Sequence, residues 1–165
     1  MAENAPTTLQ FVSNDEADTI RLGETLAAAL QPGCVVALTG SLGAGKTRLV
    51  QAIAAALGVD RDDVTSPTFV LIQEYEAAIP IFHFDAYRLR DSDQFLELGA
   101  DELMASQGIC LIEWAERAEE ILPVSRLNIR MEHQGEDLRA ITINSDAPLA
   151  AGWLEAVKKR FAQET

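Results

Sequence analysis

Residues 40–47 read Gly40-Ser41-Leu42-Gly43-Ala44-Gly45-Lys46-Thr47. It matches the phosphate-binding pattern G-x-x-x-x-G-K-[ST] at every constrained position. The glycines let the backbone coil so that its N–H groups point at phosphate oxygens. The lysine places a positive charge beside the β- and γ-phosphates, and the threonine offers its hydroxyl to magnesium. We call residues 40–47 the phosphate loop.

The flanking sequence supplies the setting that this loop needs. Residues 34–39 form a short apolar, β-branched run that predicts a buried parallel strand. Residues 47–57 are rich in Ala, Leu and Ile and predict a helix that Gly58 ends. The positive end of this helix dipole, near Lys46, favours an anion. The predicted nucleotide-binding residues are Gly40, Leu42, Gly43, Ala44, Gly45, Lys46, Thr47 and Arg48.

Composition bounds the class of protein. The chain has 165 residues, of which 48% are hydrophobic and 24% charged, as expected for one globular domain. It contains no apolar run of 18 residues and no signal peptide, so we expect a cytoplasmic protein without membrane association. Cys34 and Cys110 lie in apolar runs and are interpreted as reduced core residues. We expect residues 1–9 to be a flexible tail.

The charge of the chain argues against one class of partner. The net charge is −13, and lysine and arginine do not cluster strongly. A nucleic-acid binder normally carries a basic surface, because its partner is a polyanion. We therefore expect no direct, unaided binding of nucleic acid. An acidic surface is compatible with free solubility or with a basic protein partner.

The remaining sequence alternates helical and strand patterns. Residues 13–16 read as a capping box, S-x-x-E, that opens a helix to about Leu30. Further strands are predicted at 69–75 and 81–87 as a hairpin, at 109–112, and at 127–131 and 138–143 joined at Gly135, with helices at 91–105, 113–122 and 149–161. The pattern predicts a single α/β P-loop NTPase domain over residues 1–165, with a mixed, mostly parallel sheet and helices on both faces.

Two carboxylates end apolar strands. Asp85 follows Ile81-Phe82-His83-Phe84, and Glu113 follows Ile109-Cys110-Leu111-Ile112. Nucleotide turnover needs an acid that holds magnesium and a group that orients the attacking water. We predict catalytic roles for Lys46, Asp85 and Glu113, and magnesium binding by Thr47, Asp85 and Glu113. Which acid holds the metal and which positions water stays open, and each acid alone could merely cap its strand.

Three further features bear on the site. Thr65 and Thr68 flank Ser66-Pro67 and form either a switch loop that senses the γ-phosphate or a plain turn. His83 stands between two phenylalanines, which favours a buried, hydrogen-bonded histidine over a catalytic one. The chain lacks N-K-x-D, the tetrapeptide expected in a guanine-specific switch protein, so adenine is favoured.

The ordered set of motifs resembles the bacterial TsaE family (formerly YjeE). The set comprises the phosphate loop, Ser66-Pro67-Thr68, His83-Phe84-Asp85-Ala86-Tyr87-Arg88-Leu89 and Ile112-Glu113-Trp114-Ala115-Glu116, and the resemblance covers residues 10–145. Members are small P-loop ATPases needed for threonylcarbamoyladenosine modification of tRNA. Ala86 and Ala115 depart from the leucine and proline common in the family, but neither departure removes a polar group.

The resemblance implies cofactors and partners. ATP and Mg²⁺ are expected, with Lys46 and Thr47 at phosphate and metal, Trp114 next to the site, and the base near residues 11–14. The implied partner is a TsaB–TsaD heterodimer, in which TsaD performs the threonylcarbamoyl transfer and the ATPase resets the complex between turnovers. Transfer RNA is then reached only indirectly, through that complex.

Two other functions remain open from the residues alone. A small-molecule kinase shares this size and this loop but transfers phosphate to an acceptor. A nucleotide-dependent binding module would use ATP to set a docking conformation with negligible hydrolysis.

Overall fold

The computed structural model describes residues 7–41, 43–64, 71–145 and 148–164. The strands are β1 (Thr7–Ser13), β2 (Val35–Gly40), β3 (Ile72–Tyr75), β4 (Ile81–Asp85), β5 (Ile109–Glu113), β6 (Leu127–His133) and β7 (Arg139–Ser145). The helices are α1 (Glu16–Ala29), α2 (Lys46–Ala56), α3 (Ser92–Glu97), α4 (Ala100–Met104) and α5 (Pro148–Glu164), with 3₁₀ segments at Arg61–Asp63 and Ala115–Ile121.

The seven strands form one mixed sheet in the order β1-β7-β6-β2-β5-β4-β3. The four central strands are parallel, since β2 pairs in parallel with both β5 and β6, and β4 pairs in parallel with β5. The outer pairs β1–β7, β6–β7 and β3–β4 are antiparallel. The predicted mixed sheet with a parallel centre and the predicted hairpins are confirmed.

Helices cover both faces of the sheet, as predicted. On one face α1, α2 and α5 bury Leu26, Leu49 and Val157 against sheet residues such as Leu38 and Leu111. On each helix the buried apolar side chains recur three or four residues apart, and on each strand they are two residues apart. This layer holds α2 directly behind the phosphate loop.

The opposite face carries a second, smaller core. Phe95 of α3 and Ala100 of α4 pack there against Ala37, Phe84 and Ile112 of the central strands. The rings of Phe84 and Phe95 meet edge to face with centroids 5.6 Å apart, a favoured aromatic geometry. None of the helices in the described ranges is long and apolar enough to cross a membrane.

The start of α1 differs from the prediction. The N-cap is Asp15, whose carboxylate accepts from the Asp18 backbone N–H at 2.8 Å. Ser13 is the last residue of β1 and pairs with Arg139 of β7, so the chain enters the helix only at Glu16, with Ser13 two residues before the N-cap. Its hydroxyl lies 2.8 Å from the Thr19 hydroxyl. The capping-box prediction was therefore wrong by two residues.

Other boundaries also shifted. The helix predicted over residues 91–105 is two short helices, because Gly99 adopts φ +80° between them. Thr7, Thr8 and Leu9, predicted as part of a tail, lie in β1. Residues 1–6, and residues 65–70 of the predicted switch loop and strand start, lie outside the described residues.

Candidate nucleotide site

The parallel centre of the sheet brings the predicted site together. The carboxyl ends of β2, β4 and β5 meet at one edge, where doubly wound α/β proteins bind ligands. The phosphate loop leaves the end of β2, while Asp85 ends β4 and Glu113 ends β5. Asp85 pairs directly with Glu113 in the β4–β5 register, and Leu38 of β2 pairs with Glu113.

Glycine is required at several points of the phosphate loop. Gly40, Gly43 and Gly45 have φ values of +128°, +77° and +103°, conformations that residues with a Cβ rarely adopt. A Cβ on Gly40 would lie 1.9 Å from the backbone oxygen of Met131 on β6. The first glycine of the pattern therefore lets β2 pass close to its neighbour. Leu42 lies outside the described residues.

Lys46 is held inside the loop. It is only 5% exposed, and its Nζ donates to the carbonyls of Gly40 at 3.0 Å and Ser41 at 2.9 Å. The same ammonium lies 4.0 Å from the centroid of the Trp114 ring, a cation–π distance. Burial lowers the pKa of Lys46 from its ordinary value of 10.5, and nearby carboxylates, with Glu116 the strongest, oppose this shift.

Glu113 is fixed at both carboxylate oxygens. The hydroxyl of Thr47 donates to Oε1 at 2.7 Å, and Nε2 of His83 lies 2.5 Å from Oε2. Glu113 is 2% exposed and His83 is fully buried. The two predicted magnesium ligands of β5 and α2 are therefore in direct contact.

Asp85 completes the acidic pair. It is 5% exposed, and its Oδ1 accepts from the Tyr87 backbone N–H at 2.9 Å. A hydroxyl and two carboxylates are hard oxygen donors of the kind that Mg²⁺ prefers, usually together with substrate phosphates. Within the described residues no group of three or more His, Cys, Asp or Glu side chains could hold a metal on its own. The donor set of Thr47, Asp85 and Glu113 fits a magnesium ion that is shared with a nucleotide.

These side chains line one cavity of about 460 Å³. Its lining residues are Gly43, Ala44, Gly45, Lys46, Thr47, Arg48, Asp85, Tyr87, Glu113 and Trp114. A smaller cavity of about 210 Å³ adjoins it at Ala44, Gly45 and Arg48 and is also lined by Asp15, Glu16, Thr19, Asp137 and Arg139. Arg48 forms an ion pair with Glu16 at this second cavity.

An aromatic wall closes one side of the larger cavity. The Tyr87 and Trp114 rings lie 4.9 Å apart between centroids. Trp114 has φ +56°, the one positive φ of a non-glycine residue in the described ranges. Such backbone strain in non-glycine residues concentrates at functional sites.

The structure brings together most of the residues that the sequence singled out. All the described binding, catalytic and metal candidates except Gly40 line the larger cavity, and Gly40 contacts Lys46 at its base. Sequence reasoning missed Tyr87 and the contact of His83 with Glu113. The sequence could have placed His83 beside the acids, because Ile81, His83 and Asp85 alternate along β4 and so share one face. Thr65 and Thr68 lie outside the described residues.

Known proteins resemble this chain closely. Residues 13–141 match the family model "Threonylcarbamoyl adenosine biosynthesis protein TsaE". The protein of that name from Bacillus subtilis is 43% identical over 78% of this chain and 80% of its own length. Its namesake from Treponema pallidum is 37% identical over 82% of this chain and 99% of its own length. A crystal structure of Bacillus subtilis YdiB superposes with a TM-score of 0.80, at 33% identity, covering 95% of this chain and 98% of that one.

Proposed function

This chain belongs to the TsaE family of threonylcarbamoyl adenosine biosynthesis proteins, and we propose how it serves that biosynthesis. It binds ATP with Mg²⁺ in the 460 Å³ cavity and hydrolyses it slowly when alone. It acts on a TsaB–TsaD-like complex, which it resets between turnovers of tRNA threonylcarbamoyladenosine formation.

The observation that carries this proposal is the convergence of a phosphate loop and two strand-end acids on one cavity. The Lys46 ammonium, buried beside the loop carbonyls, is the cation available to the β- and γ-phosphates. The left-handed glycines coil the loop backbone in the manner of phosphate-binding nests. The start of α2 adds the positive end of its dipole.

Three side chains would hold the metal. Thr47, Asp85 and Glu113 supply the hydroxyl and carboxylate oxygens, and Mg²⁺ bound there would neutralise charge on the phosphates. Glu113 and Asp85 are adjacent across β4 and β5, so one can serve the metal while the other orients water. Trp114 and Tyr87 restrict bulk water on the remaining side.

We expect slow hydrolysis by the isolated chain because of the small number of cationic side chains around its cavity. Among the described residues, the cationic side chains that line the cavity are Lys46 and Arg48. Arg48 forms an ion pair with Glu16. A P-loop protein without an arginine finger of its own gains roughly 10³–10⁵ in rate when a partner supplies one. We propose that the partner complex supplies the missing stabilisation.

The acidic surface suits such a partner. With a net charge of −13, the chain is repelled by tRNA and attracted to a basic protein surface. Transfer RNA is therefore reached only through the complex. We propose that the base is adenine and that it binds near residues 11–14, which precede Asp15 and Glu16 in the lining of the smaller cavity.

Phosphate release tests this proposal. The purified chain is incubated with ATP and Mg²⁺, alone and with a purified TsaB–TsaD complex, and inorganic phosphate is followed, with Lys46→Ala as the control. We expect slow release alone and a rise of at least ~10-fold with the complex, which corresponds to about 1.4 kcal/mol of the barrier. Phosphate transferred to a small acceptor would indicate a kinase. Tight ATP binding without release under either condition would indicate a binding module.

A further inference from the structure

We propose that His83 is a positioning residue for Glu113, holding the carboxylate against Thr47 in the orientation that serves a magnesium-bound nucleotide. The inference rests on the proposed function, because it assigns Glu113 to that ligand. His83 itself lines neither of the two cavities beside the phosphate loop. It acts on the bound nucleotide and metal only through Glu113.

The contacts form one continuous chain across the sheet. The Tyr75 hydroxyl lies 2.9 Å from Gln73 Oε1 and 3.2 Å from Nδ1 of His83. On the other side of the ring, Nε2 lies 2.5 Å from Glu113 Oε2, and Oε1 of the same carboxylate accepts from Thr47. The edge strand β3 is thus linked through β4 and β5 to the first turn of α2.

The register explains why these side chains can meet. His83 lies directly opposite Gln73 on β3 and Leu111 on β5. Tyr75 and Glu113 are its diagonal neighbours on the same face, within reach of long side chains. A one-residue shift of β3, β4 or β5 would turn the member of this set on that strand to the opposite face.

Glu113 and Tyr75 orient the histidine ring from opposite sides. A carboxylate accepts hydrogen bonds, so the ring donates to Oε2 of Glu113 through Nε2–H. The Tyr75 hydroxyl donates its one proton to Gln73 Oε1, and its oxygen lies 3.2 Å from Nδ1 of His83. A contact at the far nitrogen orients the ring, as in histidines that orient metal ligands. Tyr75 therefore helps to hold Nε2 toward Glu113.

Packing alone does not require a histidine here. The neighbouring inward positions Ile81, Ile109 and Leu111 are aliphatic and fully buried, so an aliphatic side chain would also fill this layer. It would leave a buried carboxylate oxygen without a donor, and the carboxylate would then be free to rotate. His83 and Thr47 together anchor both oxygens, which leaves Glu113 one orientation. This anchoring is what a side chain that must meet metal or water needs.

The test compares two substitutions at the same position. His83→Leu removes the donor and keeps apolar bulk, whereas His83→Gln keeps an N–H donor that can reach Glu113. Tyr75→Phe removes the hydroxyl that orients the ring. Phe84→Leu on the opposite face of β4 is the packing control, since Phe84 belongs to the other core. Each variant is assayed for nucleotide affinity with and without Mg²⁺, and for kcat and KM of ATP hydrolysis with the partner complex.

We expect His83→Leu to lose at least ~10-fold in kcat with little change in KM, as for an interaction used only in the transition state. The Mg²⁺ concentration that gives half-maximal kcat should also rise, while nucleotide affinity stays within about threefold of wild type. His83→Gln should recover most of the kcat and most of the Mg²⁺ response. Tyr75→Phe should lie between His83→Leu and wild type in both quantities. Phe84→Leu should lower thermal stability without changing the Mg²⁺ response.

Each remaining outcome decides against a specific idea. A full Mg²⁺ response and normal kcat in His83→Leu would overturn the positioning role alone. Should His83→Leu fail to fold, the other two variants decide. A wild-type kcat and Mg²⁺ response in Tyr75→Phe would contradict the role of Tyr75 in orienting the ring. Loss of that response in His83→Gln would contradict rescue by a donor. Wild-type affinity that Mg²⁺ leaves unchanged would overturn the proposed function, and the positioning role with it.

Discussion

At the scale of residues, the buried ammonium group of Lys46 is the main electrostatic feature of the site. It is buried, bonded to two loop carbonyls and stacked over Trp114. Its pKa is lowered by that burial. A cation held at such a cost in solvation is expected where an anionic ligand binds, because packing alone would favour an apolar side chain.

The first prediction concerns this cation. Lys46→Ala should weaken ATP binding by roughly 10- to 150-fold, the equivalent of ~1.5–3 kcal/mol for a charge-assisted contact. The fold should persist, since the substitution removes a buried charge. Calorimetric titration of ATP, together with circular dichroism of the variant, checks both parts. A folded variant with wild-type affinity would refute the role of Lys46.

The second prediction concerns the acids. Asp85→Asn and Glu113→Gln should each reduce kcat by on the order of 10²-fold, because metal and water positioning act mainly in the transition state. Nucleotide affinity should change much less, within about threefold. Steady-state kinetics with equilibrium binding measures the split. A structure with ATP and Mg²⁺ that placed both carboxylates far from the metal and the γ-phosphate would rule this assignment out.

The sequence predicted this site unevenly, for physical reasons. The phosphate loop was recognisable because its chemistry needs fixed residue types at fixed spacing. Asp85 and Glu113 were recognisable because each ends an apolar strand. The contact between His83 and Glu113 joins residues 30 positions apart, so it depends on strand order and register that no local pattern carries. Only the parallel pairing of β4 with β5 brings them together.

At the scale of elements, the close packing of α1 against α2 bears on the position of the phosphate loop. A Cβ on Gly23 of α1 would lie 2.4 Å from the Ala52 Cβ of α2 and 3.1 Å from backbone atoms of the same helix. The glycine therefore sets the distance between the two helices. Since α2 begins at Lys46, this distance also bears on the position of the phosphate loop.

The third prediction tests this packing. Gly23→Ala should destabilise the fold by about 1–3 kcal/mol through overpacking, which outweighs its gain in helix propensity. Gly152 in α5 has no atoms within 4 Å of an added Cβ. Gly152→Ala is therefore the matched control and should stabilise by ~0.5–1 kcal/mol. Denaturant unfolding of both variants gives the comparison, and equal effects of the two would contradict the packing argument.

Elements were predicted well in type and less well at their ends. The capping box failed because β1 extends to Ser13 by pairing with β7, a strand more than 120 residues away along the chain. The helix over residues 91–105 failed because Gly99 takes a left-handed conformation that its neighbours alone do not dictate. In both cases a tertiary contact or a backbone conformation overrode local propensity.

At the scale of the whole molecule, each core layer contains one buried thiol. Cys34 belongs to the layer of α1, α2 and α5, and Cys110 to the layer of α3 and α4. Burial raises the pKa of Cys34 to about 11 and that of Cys110 to about 12. The reactive thiolate is then scarce at pH 8, roughly one part in a thousand and one in ten thousand.

The fourth prediction uses these thiols as reporters. A thiol reagent at pH 8 should label neither cysteine quickly in the native chain and both quickly in denaturant. Under native conditions both should react at one rate, because a single domain of this size opens cooperatively. Mass spectrometry of the labelled chain against time measures both sites. Rapid labelling of one cysteine would show that its layer opens independently.

The fifth prediction concerns the acidic surface and a partner. Association with a TsaB–TsaD complex should slow as salt rises, because the net charge of −13 implies attraction to a basic docking surface that ions screen. Nucleotide state should also matter, since loops that touch the γ-phosphate order with ATP and bias docking.

Nucleotide control of partner binding is measured by titrating the chain into a purified TsaB–TsaD complex with ATP, with ADP and without nucleotide, across a salt series. We expect different affinities in the three states, with the nucleotide dependence abolished by Lys46→Ala and the association rate falling with salt. Equal binding in all three states would contradict nucleotide control of the partner interaction.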